Sequence, residues 1–516
     1  MTKNYIILIL YLFSLIHVQS STSISFSSDG DGYSISDNVL TITGTGEYDL
    51  TNSYTNKEIL VSSSCTLNLN GFTLVNDGTL TPIIIGANQN VEIKLTGDSS
   101  LTDSSANENE GIIYLQSGAS LTISGTGSLV LNPNKLMAIN GTDSTSLTVN
   151  DGASITVQSS STNAGGVYLR TSITFNNALY TYSCTSGENH AIDTEGTIKI
   201  VKGTYIINSG YGKGIQSETY LYIGEENGSN SDLTLNITTT NEGIEAKKIE
   251  IYSGTINIKA DEDGINAASS DSDCDETVQC SGTCACYITF KGGSLYLISG
   301  EDGLDANGDI TISGGQIVVF AASSSEDQPI DQDGLLQITG GTVLAVGSSA
   351  MGGVSATTSQ TAKTYSGTIN SGVELIAKDS SSNEILSLTT PKAGSYLYFN
   401  YESSFSITLD GSEITLSDAT SQSSGSPGRS SGGQGGPGGP PSDQGNPGTP
   451  PSDQGTQPGE QGNSATVSET ESATTASTNT NQTESSDEDP EVFQTSECYF
   501  LKTLNIIYLF GLLLLW

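Results

Sequence analysis

Lys248-Ile249-Glu250-Ile251-Tyr252, then Gly254, then Thr255-Ile256-Asn257-Ile258-Lys259, is the stretch that decides the fold. Apolar and polar residues alternate through both segments, and a glycine stands between them. Alternation of period two signals a strand with one buried face, and the glycine signals a turn. Ile249, Ile251, Ile256 and Ile258 are therefore expected to point inward. A short phrase (small residue, Ile/Leu/Val, polar residue) precedes such pairs of strands along the chain. Its apolar member falls at Ile84, Ile112, Ile139, Val167, Ile192, Ile215, Ile244, Ile265, Leu304, Ile330 and Val354. The intervals are 28, 27, 28, 25, 23, 29, 21, 39, 26 and 24 residues. Three short strands per period of roughly 25 residues make one coil of a parallel β-helix. No window shows a convincing helical period. Leu295 and Leu297, Ile317 and Val319, and Val343 and Ala345 are expected to stack in the same inward column.

The chain is thus expected to be all-β: a single-stranded parallel β-helix with an N-terminal cap and a small C-terminal β appendage. Residues 81–360 form the helix, and 268–286 are a cysteine-rich insertion that accounts for the single long interval. Residues 21–80 suit a cap and first strands, because the open end of a solenoid must be covered. Residues 361–414 read as the appendage. Tyr296, Val318, Phe320 and Leu344 are apolar at outward positions, and the appendage is expected to cover them. Residues 415–497 are rich in Gly, Pro, Ser and Thr and cannot bury enough apolar surface to order the chain. They read as a disordered stalk that carries O-glycans.

Both ends are hydrophobic. Residues 1–20 have the basic start, apolar run and small-residue close of a signal peptide. Residues 498–516 are too short for a comfortable bilayer span. With small residues and a polar spacer upstream, they match a GPI attachment signal, and a C-terminal transmembrane anchor is the alternative. The expected location is extracellular, at the cell surface, and the membrane is met only through this anchor. Sequons stand at Asn140, Asn227, Asn236 and Asn481. In an oxidising compartment Cys65, Cys184, Cys274, Cys280, Cys284 and Cys286 read as disulfide cysteines. A zinc site in the last four is the alternative.

The chain has 516 residues, with 57 acidic against 17 basic and a net charge of -40. Such a balance excludes a phosphate-neutralising nucleic-acid surface. The residues from 415 onward hold only 12 acids and 2 bases, so most of the acidity belongs to the rod. There it recurs once per coil. Two places before the repeated apolar residue stand Glu242, Asp263, Asp302 and Gln328. Three before it stand Asn241, Glu262, Glu301 and Asp327. One after it stand Glu245, Asn266, Asp305 and Asp331, with Asp261 and Asp333 alongside. Like charges about 5 Å apart repel by roughly 0.8 kcal/mol even in water. Asp261, Glu262, Asp263, Glu301, Asp302, Asp305 and Asp331 are therefore candidate ligands for Ca²⁺, which takes six to eight oxygens. A solvated acidic face is the alternative. Asp271, Asp273, Asp275 and Glu276 in the insertion read as solvated loop.

The chain resembles the secreted carbohydrate-binding β-helix proteins, which look like pectate lyases without the catalytic apparatus. The matching phrases include LNLNGFTL at Leu67–Leu74, VEIKLTGDSSLTD at Val91–Asp103 and DGINA at Asp263–Ala267. GEDGLDANGDITISGG at Gly300–Gly315 and LLQITGGTVLAVGSSAMG at Leu335–Gly352 continue them. The resemblance implies a right-handed helix, bound calcium, and binding of polysaccharide, either acidic such as polygalacturonate or cellulose. The cysteine-rich insertion beside Asp263 departs from it. Trp is absent from the folded part, so sugar stacking would fall to Tyr211, Tyr220, Tyr222 or Tyr252. The expected molecule is a monomeric, non-catalytic polysaccharide binder. The rival is a lyase with Lys213 or Lys248 as base; a non-binding surface coat or adhesion protein is a third reading. Arg170 lies several coils from the acidic columns. His190 reads as a turn residue.

Overall fold

The computed structural model describes residues 22–419 except 27–28, 105–110, 135–136, 185, 187–188, 270–273, 275–284, 323–326, 349–350 and 352–359. The expectations for residues 1–20, for the stalk and C-terminal anchor, and for Val354, Cys280, Cys284, Asp271, Asp273, Asp275, Glu276 and Asn481 lie outside the described residues. The chain winds into a parallel β-helix, and no α-helix occurs among the described residues.

Each coil contributes to three ladders. The first includes Ile83–Ile85, Met137–Gly141, Ile192–Thr194, Ile265–Ala267, Leu304–Ala306 and Ile330–Gln332. The second includes Asn90–Leu95, Thr197–Ile200, Tyr287–Phe290 and Asp309–Ile312. Ile215–Ile223 and Ile244–Ile251 run through both. Among the described residues the third ladder has twelve parallel strands, from Ser53–Thr55 to Thr342–Gly347. Its eleven coil steps give a rod of about 53 Å at the usual strand spacing.

The alternation that suggested strands sets the core. Ile249, Ile251, Ile256, Ile258, Leu295, Leu297, Ile317, Val319, Val343 and Ala345 are all buried. Ile256 pairs with Leu295, Leu295 with Ile317 and Ile317 with Val343, so one inward column stacks coil upon coil. Gly254, at φ 110°, turns the chain between the two strands of the opening stretch. The repeated apolar residue keeps register from Ile139 to Ile330. Earlier it slips by one: Ile83 pairs with Ile113, while Ile84 faces outward beside Tyr114. Ile83-Ile84-Ile85 and Ile112-Ile113 are unbroken isoleucines, so alternation does not say which of them points in.

Both ends of the described helix are closed. The hairpin Tyr33–Ser36 with Val39–Ile42 leads into the first ladder. At the far end Gly394–Tyr401 pairs antiparallel with Thr342–Gly347 and with Thr361–Ile369, covering the open edge. Val318, Phe320, Leu344 and Val346 form a second apolar cluster with Ile369, Leu375, Leu397, Phe399 and Ile407, and Tyr296 packs against it. The appendage therefore covers the outward apolar stripe.

The cysteine expectation is corrected at two positions. Cys274 and Cys286 are joined, with Cα atoms 5.6 Å apart, and both are buried. Cys65 and Cys184 are free and buried. They lie on different coils of the core, and burial pushes the Cys65 thiol up to about 12. They behave as small apolar residues.

Candidate functional site

The acidic repeat converges where the first ladder begins each coil. Glu245, Asn266, Asp305 and Asp331 occupy one outward column. Beside it, Gly243 N–H donates to Asp263 O, Gly264 N–H to Asp302 O and Gly303 N–H to Gln328 O, each at 3.0 Å, which aligns Glu242, Asp263, Asp302 and Gln328. The glycine of each Asp-Gly phrase lets the coils close at this corner. A Cβ on Gly243 would stand 2.5 Å from the Gly264 carbonyl oxygen, and one on Gly264 would stand 2.7 Å from that of Gly303. The carboxylates also tie one coil to the next. Asp302 N–H donates to Asp263 Oδ1 at 2.8 Å, and Gln328 N–H donates to Asp302 Oδ1.

Glu262, Asp263, Asp302, Asp305 and Asp331 are half-buried, whereas Asp261 and Glu301 are exposed. Burial, with repulsion from Asp331, Asp327 and Glu301, pushes the Asp302 carboxyl up to about 7, although the Gln328 hydrogen bond opposes the rise. Burial raises Asp263 well above the carboxylate range, and its neighbour Asp302 adds to the rise. Asp305 is raised likewise, by burial and then by Asp263 and Asp302. Burial also raises Asp331 and, at the margin, Glu262 and Glu301.

One step lower the same columns are neutralised from within. Lys213 Nζ pairs with Glu242 Oε2 at 3.1 Å and also with Glu245. Its backbone N–H donates to His190 Nδ1 at 2.8 Å, and burial, helped by the Lys213 charge, pulls His190 down to about 4. His190 is thus held neutral, and the Lys213 ammonium is engaged by two carboxylates. Arg170 pairs with Glu195 and lies over the Tyr168 ring. Asp193, which directly follows the repeated Ile192 and so was within reach of the repeat, precedes Gln216 in the column and is pushed up to about 7, by burial and then by Glu218.

Another cation was not foreseen. Lys392 of the appendage donates to the Ser299 carbonyl, where the Asp327 and Asp261 charges favour its ammonium against the burial that lowers it. Only the folded chain brings it here, from 93 residues away.

Among the described residues no three Asp, Glu, His or Cys side chains form a ready metal cage. The donors nevertheless suit a hard cation. Asn266 is 8% exposed, and its Oδ1 has no hydrogen-bond partner although it stands between Glu245 and Asp305. An orphaned buried oxygen beside repelling carboxylates matches the oxygen-only preference of Ca²⁺.

A second cluster lies on the adjoining second-ladder face. Tyr220 and Tyr222 stack with centroids 5.7 Å apart and planes within 3°. Register sets Lys248 between Tyr220 and Tyr287, and Glu250 between Tyr222 and Thr289. Glu250 accepts from Tyr252 at 2.6 Å, Tyr287 at 3.0 Å and Lys291 at 2.7 Å. Burial works against its charge, but these three hydrogen bonds hold the carboxyl below the usual range. Three of the four candidate tyrosines thus come together. Tyr211 stands apart on a turn, 67% exposed. Tyr287 and Lys291 complete the cluster and follow the insertion, so spacing along the chain does not betray them.

Of the sequons, Asn227 is exposed in a turn at φ 63°. Asn140 and Asn236 lie in strands, where their side-chain oxygens accept from Gly141 N–H and Asn257 Nδ2.

Fold and surface define a β-solenoid that presents polar side chains in continuous outward columns. The chain belongs to the family described as carbohydrate-binding domain-containing protein, whose model matches residues 36–231 and 202–425. Membership carries a carbohydrate-binding role. No curated protein and no solved structure matches the chain.

Proposed function

We propose that the protein binds polysaccharide, acidic such as polygalacturonate, through Ca²⁺ held on the acidic face of its β-helix. Asp263, Asp302 and Asp305, with Asn266, would hold the ion, and the ion would supply positive charge between protein and sugar carboxylates. The observation that carries the reading is the contrast along one pair of columns. Lys213 neutralises Glu242 and Glu245, whereas no ion pair among the described residues reaches Asp263, Asp302, Asp305 or Asp331. A repeated carboxylate array without a protein cation is suited to an external one. Cellulose is the neutral alternative ligand.

The same columns argue against Lys213 as the proton-abstracting base of a lyase, because its ammonium is held between two carboxylates. The role is binding without turnover, outside the cell, on a chain secreted through its N-terminal signal and held at the surface by a GPI anchor. Release from cells by a phosphatidylinositol-specific phospholipase is the expected outcome; a chain that stays with the membrane contradicts the anchor. Affinity electrophoresis of the full chain through gels containing polygalacturonate or soluble cellulose derivatives tests binding. Retardation by polygalacturonate that increases with calcium is expected, and unaltered mobility in every gel contradicts it.

A further inference from the structure

We propose that the second-ladder face around Lys248 is a separate, metal-independent site for the carboxylates of a uronate chain. The inference rests on the carbohydrate-binding reading and adds a second face to it.

The placement of charge comes first. Residues 21–414 hold 45 acids and 14 bases, yet three lysines gather on this one face. Lys199 is beside Tyr222, Lys248 is two coils on from Lys199, and Lys291 lies one coil further. Glu250 is the carboxylate among them, and its oxygens are taken by Tyr252, Tyr287 and Lys291. Asp309 lies next to Tyr287, with one oxygen accepting from Leu335 N–H at 2.8 Å.

Lys248 has no carboxylate partner among the described residues. Its ammonium donates to Tyr220 Oη at 2.9 Å and lies 4.7 Å from the Tyr220 ring centroid and 6.0 Å from that of Tyr287. Two aromatic rings shield the ammonium from water and favour its charge without neutralising it. An ammonium has three donors, so two remain for a ligand. Lys199 is exposed and makes no ion pair among the described residues.

The rings are arranged for the same ligand. Lys248 lies over Tyr220, and Lys291 lies over Tyr252 at 4.4 Å, so cations already occupy these ring faces. What the surface offers is ammonium groups and tyrosine edges, which suits an anionic sugar better than flat stacking of a neutral one. Lysines one or two coil steps apart, at about 4.8 Å per step, are spaced on the scale of sugar residues in an extended chain.

The test is titration of the full chain, in chelator, with oligogalacturonate and with its methyl-esterified, uncharged counterpart. The expected result is binding of the acid form alone, weakened by raised salt. Lys248→Met and Lys291→Met should each weaken it about ten- to a hundredfold. Lys199→Gln, at an exposed side chain without structural contacts, should weaken it several-fold with the melting temperature unchanged. Equal binding of the methyl ester, or unchanged affinity in all three variants, overturns the site. Binding that exists only with calcium overturns it too, while leaving the acidic face standing. Absence of binding with and without calcium removes the uronate reading and this site together, and leaves cellulose as the ligand.

Discussion

Asp302 and Asp305 show how one residue type serves two ends. Asp302 bridges coils through the Gln328 N–H, yet burial and its acidic neighbours oppose its charge. A carboxyl raised in the folded state stabilises the fold below its unfolded value and loses that contribution as pH rises through the folded value. In chelator the melting temperature should therefore fall between about pH 4 and about pH 7, the window set by Asp302. Calcium should abolish that fall, since it favours the ionised form. Melts across this range check it; a stability that is flat or rising in chelator counts against a repelling array. The double change Asp302→Asn with Asp305→Asn should raise the melting temperature in chelator and remove the increment given by calcium. Equal melting shifts in both conditions would mean a purely structural role.

At the scale of coils, the corner glycines and the insertion set the geometry that the carboxylates use. Gly264→Ala should cost about 1–3 kcal/mol, because the added carbon meets the Gly303 carbonyl and the Leu297 side chain. Denaturant unfolding measures this, and a change within about 0.5 kcal/mol would show that the corner can open. Replacing Cys274 and Cys286 together by Ser should cost about 3 kcal/mol, for a loop of this size. The strands, their inward residues and the alignment of Glu242, Asp263 and Asp302 were legible in the sequence, since alternation and a 25-residue period are local signals. The register at Ile83-Ile84-Ile85 was not, because an unbroken apolar run carries no phase. Tyr287, Lys291 and Lys392 were also illegible as site residues. Each meets its partners across coils or from the appendage, and those distances along the chain vary with loop length. The free thiols of Cys65 and Cys184 were misread because compartment and an even count say nothing of position.

For the whole molecule, the 45 acids and 14 bases of residues 21–414 leave one face that repels itself and a smaller face that gathers lysines. Salt at about 0.15 M should raise the melting temperature of the calcium-free chain relative to low salt, since screening weakens the repulsion. The same salt should weaken any attachment through Lys248. Opposite responses on one rod make the two faces separable by experiment. The central claim is that cations on the acidic columns join the rod to polysaccharide, and calorimetric titration with polygalacturonate tests it most directly. With calcium the wild-type chain should bind at least tenfold tighter than in chelator, and the Asp302→Asn, Asp305→Asn chain should show the chelator affinity in both. An affinity that ignores calcium, or a double variant that still responds to it as the wild type does, would contradict the account.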